Sequence, residues 1–211
     1  MQVYLDNSAT TRPCAEAVSA VTKSMTEVYY NPSALYAPAL SAEHALADAR
    51  RAIAGTLCAG EKNVLFTSGG TESDNLAIWG WLASQHRPGE VLYTAAEHAA
   101  VKNACLEAEA RYGVHAREIP LLSTGSVDLS ALEGMLGPQT ALICVMQVCN
   151  ETGVIMPLEQ ICALRDRLAP QAGIHVDGVQ GYLRVPFSFK KTKVQSYALS
   201  AHKIHAVSYT H

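Results

Sequence analysis

The sequence predicts an α/β fold: a mostly parallel sheet flanked by helices. Three observations predict it. About six short apolar runs alternate with stretches of helical periodicity. One of these runs, 140–148, is almost continuously apolar, which suits a strand buried on both faces. The residues that carry chemistry cluster where the apolar runs end, and that is where open parallel sheets bind their ligands.

The 211 residues are enough for one sizeable α/β domain. A composition of 49% hydrophobic and 17% charged residues supports a packed core and argues against disorder. The net charge of −3 leaves no basic footprint for nucleic acid or an anionic membrane surface. No apolar run approaches the ~20 residues of a membrane-spanning helix. Residues 1–6 show no basic region and no long apolar stretch of a secretory signal, so the expected location is cytoplasmic. The six cysteines form no Cys-x-x-Cys pair and read as small buried hydrophobes in a reducing compartment; no metal site is expected.

In chain order, Pro13 suits the first position of a helix, and Val18, Val21, Met25 and Val28 carry that helix to about Tyr29. Asn31-Pro32-Ser33 breaks it. Ser41 is the expected N-cap of a second helix with Leu46, Ala49, Ile53 and Leu57 on its stripe. His44 on that helix reads as solvated. Residues 63–67 read as a short strand. It leads into Ser68-Gly69-Gly70-Thr71-Glu72-Ser73-Asp74-Asn75 and a helix through Leu76, Ile78, Trp79 and Leu82. Strand, glycine turn and helix N-terminus together suit an anion.

A strand over 90–94 meets Glu97-His98 and a helix with Val101, Ala104, Cys105 and Ala108. A strand over 114–119 and a short helix from Asp128 follow. The strand 140–148 ends at Cys149-Asn150-Glu151-Thr152-Gly153, and Pro157 opens the next helix. Cys149 reads as a packed strand-end cysteine. Residues 173–177 form a strand that ends in Asp177-Gly178-Val179-Gln180-Gly181. Lys190, Lys191 and Lys193 read as a solvated loop. A last strand over 194–199 runs into Ser200-Ala201-His202-Lys203.

Four of these strand-end features share one chemistry. A lysine amine such as that of Lys203 forms a Schiff base with an aldehyde cofactor. A carboxylate such as Asp177, set beneath a pyridine ring, keeps the ring nitrogen protonated and strengthens the electron sink. A flat imidazole such as His98 can stack on the ring, and the Gly70-Thr71 turn can neutralise a phosphate. These are the groups that pyridoxal 5′-phosphate (PLP) requires. A dinucleotide-binding domain is the poorer reading, because no Gly-x-Gly-x-x-Gly turn follows the first strand.

The chain resembles the PLP-dependent cysteine desulfurases of the class V aminotransferase family. The resemblance is carried by the strings at 4–11, 31–33, 67–75, 97–98 and 150–153, by His175-Val176-Asp177 with Gln180, and by 200–205. It implies the large domain of the fold type I PLP transferases, with cofactor PLP and substrate L-cysteine. Lys203 would be the Schiff-base lysine and an acid/base. Asp177 would pair with the pyridinium nitrogen, and His98 would stack on the ring and assist proton transfer. Gln180 would bond the phenolic oxygen, and Asn150 would lie near that oxygen and the substrate carboxylate. Gly70, Thr71, Ser200 and His202 would hold the phosphate. The family activity is cysteine to alanine, with sulfur passed to an enzyme thiolate for iron–sulfur or thio-cofactor assembly. It implies a homodimer and a sulfur-acceptor partner, and neither nucleic acid nor membrane.

By that resemblance, residues 1–33 form an N-terminal segment and helix, 34–205 an incomplete PLP-binding large domain, and 206–211 a tail outside the family pattern. The family's glycine-rich segment is expected after His205, and Ala206 to His211 stand there instead. The expectation is therefore a C-terminally truncated form without the small domain, the catalytic cysteine or the substrate arginine; none of the six cysteines matches that catalytic one by motif. The missing neighbour of strand 64–67 would leave the Gly70-Thr71 turn unfixed against Ser200 and His202. Weak or absent PLP binding and poor solubility would follow. A non-catalytic remnant or interaction protein is the alternative, as is another class V activity such as selenocysteine lyase.

Overall fold

The computed structural model describes residues 3–85 and 89–207; the positions 208–211 of the expected tail lie outside the described residues. The chain divides into two compact units. One comprises Met1–Phe66, Pro186–Lys191 and Ala201–His211, and the other comprises Thr67–Val185 and Thr192–Ser200.

The first unit holds helix α1 (Ala15–Thr26) and helix α2 (Ala37–Leu57). Both start elsewhere than the sequence suggests. Pro13 lies ahead of the α1 cap, Cys14, and the helix stops at Thr26 rather than near Tyr29. The Val18, Val21 and Met25 stripe stays exposed. Pro38 occupies the first turn of α2, where its missing N–H costs nothing, so that helix opens before Ser41 and leaves Ser41 in its interior. Cys58 closes it in the left-handed region at φ 53°.

The expected strand at 63–67 is not formed. Backbone is a strand only when a ladder partner takes its N–H and C=O groups. Among the described residues none pairs with this segment in the sheet, and Leu65 and Phe66 are exposed. Its contacts are made by side chains: the Arg50 guanidinium donates to the Val64 carbonyl and lies 4.9 Å over the Phe66 ring. The lysine-rich stretch also differs from expectation. Lys190 and Lys191 sit in a short helix, Phe189–Thr192, rather than in a loop, though both are exposed.

Among the described residues the second unit is built on five strands: β1 (Glu90–Thr94), β2 (His115–Ile119), β3 (Thr140–Met146), β4 (Gly173–Asp177) and β5 (Ser196–Ala198). Their order is β2-β1-β3-β4-β5, and every pairing is parallel. Helices α3 (Gly70–Ser84), α4 (Ala99–Tyr112), α5 (Leu129–Met135) and α6 (Leu158–Leu168) complete the unit. The crossover through α4 moves one way along the sheet, from β1 to β2. The crossover through α6 moves the other way, from β3 to β4. Right-handed connections therefore place α4 and α6 on opposite faces. Helix α3 packs with α4, and α5 with α6, which completes three layers.

All seven residues of β3 are buried, as a central parallel strand covered on both faces requires. Alternate residues serve the two sides. Leu142 and Cys144 join Val91 and Tyr93 of β1 and Ile78, Leu82, Val101 and Ala104 of the helices in one apolar cluster. Ile143 and Val145 point to the other face. Four cysteines, Cys105, Cys144, Cys149 and Cys162, are buried as expected, whereas Cys14 and Cys58 are exposed because they cap surface helices.

Ile143 is wholly buried. Ile143→Ala is expected to lower unfolding free energy by about 2–5 kcal/mol. Leu106→Ala, on the exposed side of α4, should stay within about 0.5 kcal/mol. Urea midpoints of the two variants measure the difference.

Candidate functional site

Because the strands are parallel, the turns that leave β1, β3, β4 and β5 all lie at one end of the sheet. That end carries Glu97 and His98 after β1, Asn150 after β3, Asp177 to Gln180 at the end of β4, and Ser200 after β5.

The glycine turn forms the start of α3. Thr67 Oγ1 and Ser73 Oγ lie 2.7 Å apart, and Glu72 accepts from the backbone N–H and the hydroxyl of Ser68. These bonds from Ser68 hold the Glu72 carboxyl below its ordinary value. The first N–H groups of a helix have no intrahelical acceptor, so those at Gly70 and Thr71 are available to an anion. A Cβ at Gly70 would stand 3.0 Å from Val179 Cγ2 and 3.8 Å from Ser200 Cβ. The turn is thus packed directly against the β4 and β5 ends. The expectation that it would be unfixed from Ser200 is overturned: β5 follows β4 in the same sheet and brings Ser200 to it. Ser200 is buried. Thr71 is exposed, and its carbonyl accepts from Asn75 Nδ2.

His98 caps α4 in extended backbone, and its Nδ1 accepts from the Ala100 N–H at 3.1 Å. That bond fixes the ring orientation and, in the neutral imidazole, places the proton on Nε2. The preceding residue is drawn inward. Glu97 Oε1 accepts from Thr94 Oγ1 at 2.6 Å and from the Met146 N–H at 2.8 Å. One carboxyl oxygen therefore ties the end of β1 to the end of β3.

Asp177 is 6% exposed, and its Oδ1 accepts from the Val179 N–H at 2.9 Å. The ladder continues past it: Gln147 N–H donates to the Asp177 carbonyl, and Gly178 N–H to the Ala198 carbonyl. Tyr197 of β5 donates to Gln147 Oε1 at 2.6 Å. Burial, and then the negative charge of Asp177, push its phenol well above the ordinary value, so it serves as a donor. A Cβ on Gly178 would stand 1.9 Å from this ring, so only glycine lets Tyr197 cross the β4 end.

A second buried chain lies one step deeper. His175 Nε2 and Asp74 Oδ1 are 3.1 Å apart, and His175 Nδ1 is 2.9 Å from Ser196 Oγ. It fastens α3, β4 and β5; His175 and Asp74 are nearly inaccessible, and Ser196 is half-buried. The sequence reading names both residues only within the strings that carry the resemblance and gives neither a role. A histidine inside an otherwise apolar strand, and an aspartate one turn into an apolar helix, were the available signals.

Asn150 lies in a tight turn between Val148 and Ile155, which form an antiparallel bridge; Gly153 closes it at φ 74° and donates to the Cys149 carbonyl. Burial raises the Cys149 thiol, but the Thr152 side chain and the Thr152 and Glu151 backbone outweigh it, and the net shift is downward. Burial raises Cys144 far above the ordinary thiol value and Cys162 to about 11, so both are unreactive thiols. Gln180 accepts at its carbonyl from Arg184.

His202 and Lys203 belong to the first unit. Lys203 Nζ donates to the Ser8 and Ala9 carbonyls, the latter at 2.8 Å. The His202 carbonyl accepts from the N–H and the hydroxyl of Thr11, and its ring Nδ1 is 3.2 Å from Thr10 Oγ1. The Asp-Asn-Ser-Ala-Thr-Thr string near the N-terminus thus wraps the lysine segment.

The profile of the aminotransferase class-V family matches residues 3–208. The chain belongs to that family. A cysteine desulfurase of Cereibacter sphaeroides is 39% identical over 205 residues, and cysteine desulfurase 2 of Trichormus variabilis is 40% identical over 206. Each alignment covers 97% of this chain and 52% or 50% of the relative. The chain spans about half the length of the curated relatives it matches. Among solved structures, a NifS-like protein superposes with a TM-score of 0.92 at 31% identity, covering 99% of this chain and 57% of that one. SspA in complex with cysteine gives 0.92 at 27%, covering 98% and 59%. The parallel sheet flanked by helices is therefore the fold type I arrangement that the sequence predicts.

Removing Asp74 would leave a buried histidine nitrogen without its partner. Asp74→Ala is expected to cost about 2–4 kcal/mol of unfolding free energy, read from urea midpoints, while Asp48→Ala on the exposed face of α2 should cost less than about 1 kcal/mol.

Proposed function

We propose that the chain binds PLP at the C-terminal ends of its strands and carries the cofactor-binding part of a cysteine desulfurase. The single observation that carries the cofactor reading is the close approach of the Gly70 turn and Ser200 at the same sheet end as the buried Asp177. The donor set fits the group. Open helix N–H groups and a buried serine hydroxyl suit a phosphate dianion. A buried carboxylate suits a ring nitrogen that must stay protonated. The reading of cysteine as substrate rests on the curated relatives, which are named cysteine desulfurases.

Bound there, PLP supplies an aldehyde that condenses with amines and a protonated ring that withdraws electrons from a substrate carbon. The chain's residues do the rest. The α3 N-terminus at Gly70 and Thr71, with Ser200 and His202, takes the phosphate. Asp177 holds the proton on the ring nitrogen, and the Val179 N–H fixes that carboxylate's orientation. His98 presents a ring held by Ala100 to the cofactor face and moves a proton at Nε2. Gln180 and Asn150 donate to the phenolic oxygen, and Asn150 also to the substrate carboxylate. Lys203 supplies the amine; its Nζ donates to the Ser8 and Ala9 carbonyls. The sulfur-carrying thiolate is assigned to none of the six cysteines. The homodimer, the sulfur-acceptor protein and a cytoplasmic location belong to the same reading. Among the described residues, no helix is long and apolar enough to cross a membrane.

The test is reductive trapping. The chain is mixed with millimolar PLP and borohydride, and peptide mass mapping locates the modification. Lys203 is expected to carry it preferentially. Lys203→Ala should lose the site-specific label, and Asp177→Ala should cut its yield at least about tenfold, equivalent to one buried charge contact. Label spread evenly over the exposed lysines would overturn the reading.

A further inference from the structure

Glu97 is 8% exposed, and its two oxygens are treated unequally. Both of its donors, the Thr94 hydroxyl and the Met146 N–H, converge on Oε1. Oε2 is buried and has no hydrogen-bond partner among the described residues. A charged carboxylate spreads its charge over both oxygens and needs donors at each. A carboxylic acid carries no net charge: one oxygen accepts as a carbonyl, and burying the O–H on the other costs far less than burying a charge. The geometry at Glu97 is that of the acid. An oxygen without a partner at this depth is costly on a charged carboxylate and much less so on a neutral acid.

The neighbours agree. Burial above all holds the proton on Glu97, and the carboxylates of Asp177 at the end of β4 and Asp74 on α3 add to it; the bonds from Thr94 and Met146 act the other way, and the carboxyl is raised to about 8. His175 stands at Asp74 rather than at Glu97, and the Cys144 thiol of β3 is neutral. His98 is the next residue in the chain.

We propose that Glu97 is a positioning residue that acts as a neutral acid: it fastens the β1 end, and with it His98, to the β3 end without placing a second negative charge beside Asp177. This rests on the PLP reading only in its second half, where the charge kept on Asp177 serves the ring nitrogen. A glutamate that ionised would weaken the attachment of β1 and compete with Asp177 for the same positive partner.

The sign of the pH effect follows from linkage. In the unfolded chain the carboxyl loses its proton near 4.5, and in the folded chain near 8. Between those values the folded state holds the extra proton, so stability due to this group falls as pH rises and levels off above about 8.

Urea unfolding of the chain without cofactor, from pH 5 to 8.5, tests this with Glu97→Gln and Glu97→Ala. The amide of glutamine copies the acid: its oxygen accepts from Thr94 and Met146. Relative to Glu97→Gln, the unfolding constant of the unaltered chain should rise at least about tenfold across the window. Glu97→Ala should unfold more readily than Glu97→Gln at every pH. A ratio that stays within about twofold across the window, or a glutamine variant no more stable than the alanine variant, would overturn the proposal. Borohydride trapping of PLP at pH 7 and pH 9 reads the second half. The trapped yield of the unaltered chain, divided by that of Glu97→Gln, should fall at least threefold at the higher pH, and a constant ratio would refute it. If no variant traps PLP at Lys203, the cofactor reading fails, while the unfolding series still decides the state of Glu97.

Discussion

The burial of β3 on both faces is the constraint on which the second unit depends. A strand with every residue buried can be covered only by helices that cross the sheet in opposite directions from its centre. The helical crossovers that provide this cover join parallel strands, and parallel pairing gathers the exits of β1, β3, β4 and β5 at one end. The site is therefore a consequence of covering an apolar strand. Its residues are far apart in sequence and share only the property of following a strand.

At that end, buried polar groups tie the strand ends to one another. Glu97 bridges β1 and β3, Tyr197 reaches Gln147 across β4, and the Asp74–His175–Ser196 chain joins α3 to β4 and β5. Buried polar networks of this kind add little net stability but specify one arrangement of the strand ends. The two buried carboxyl groups are treated differently: Asp177 has a backbone N–H aimed at it, whereas Glu97 has donors on one oxygen and two acidic neighbours.

Much of this was legible in the sequence. The apolar run at 140–148, the glycine turn at Gly69-Gly70, and the placement of His98, Asp177 and Ser200 after apolar runs each have a local cause that a single stretch can express. The errors were of another kind. Residues 63–67 have strand composition, but a strand exists only through its ladder, and nothing in five residues states whether a partner is present. Ser41 is a good cap, yet Pro38 opens α2 a turn earlier. Cys14 and Cys58 look like the buried cysteines, but helix ends place them at the surface.

The sequence by itself determined the class of fold, the alternation of its elements and the residue types that stand at the strand ends, because periodicity, turn chemistry and residue type are local. The tertiary structure alone decided which of those residues meet and in what protonation state. That Gly70 packs on Ser200, that Gly178 makes room for Tyr197, and that Glu97 has donors on only one oxygen are facts of long-range packing. Burial and neighbouring charge, which no local pattern encodes, turn one glutamate in a common Glu-His pair into a neutral acid.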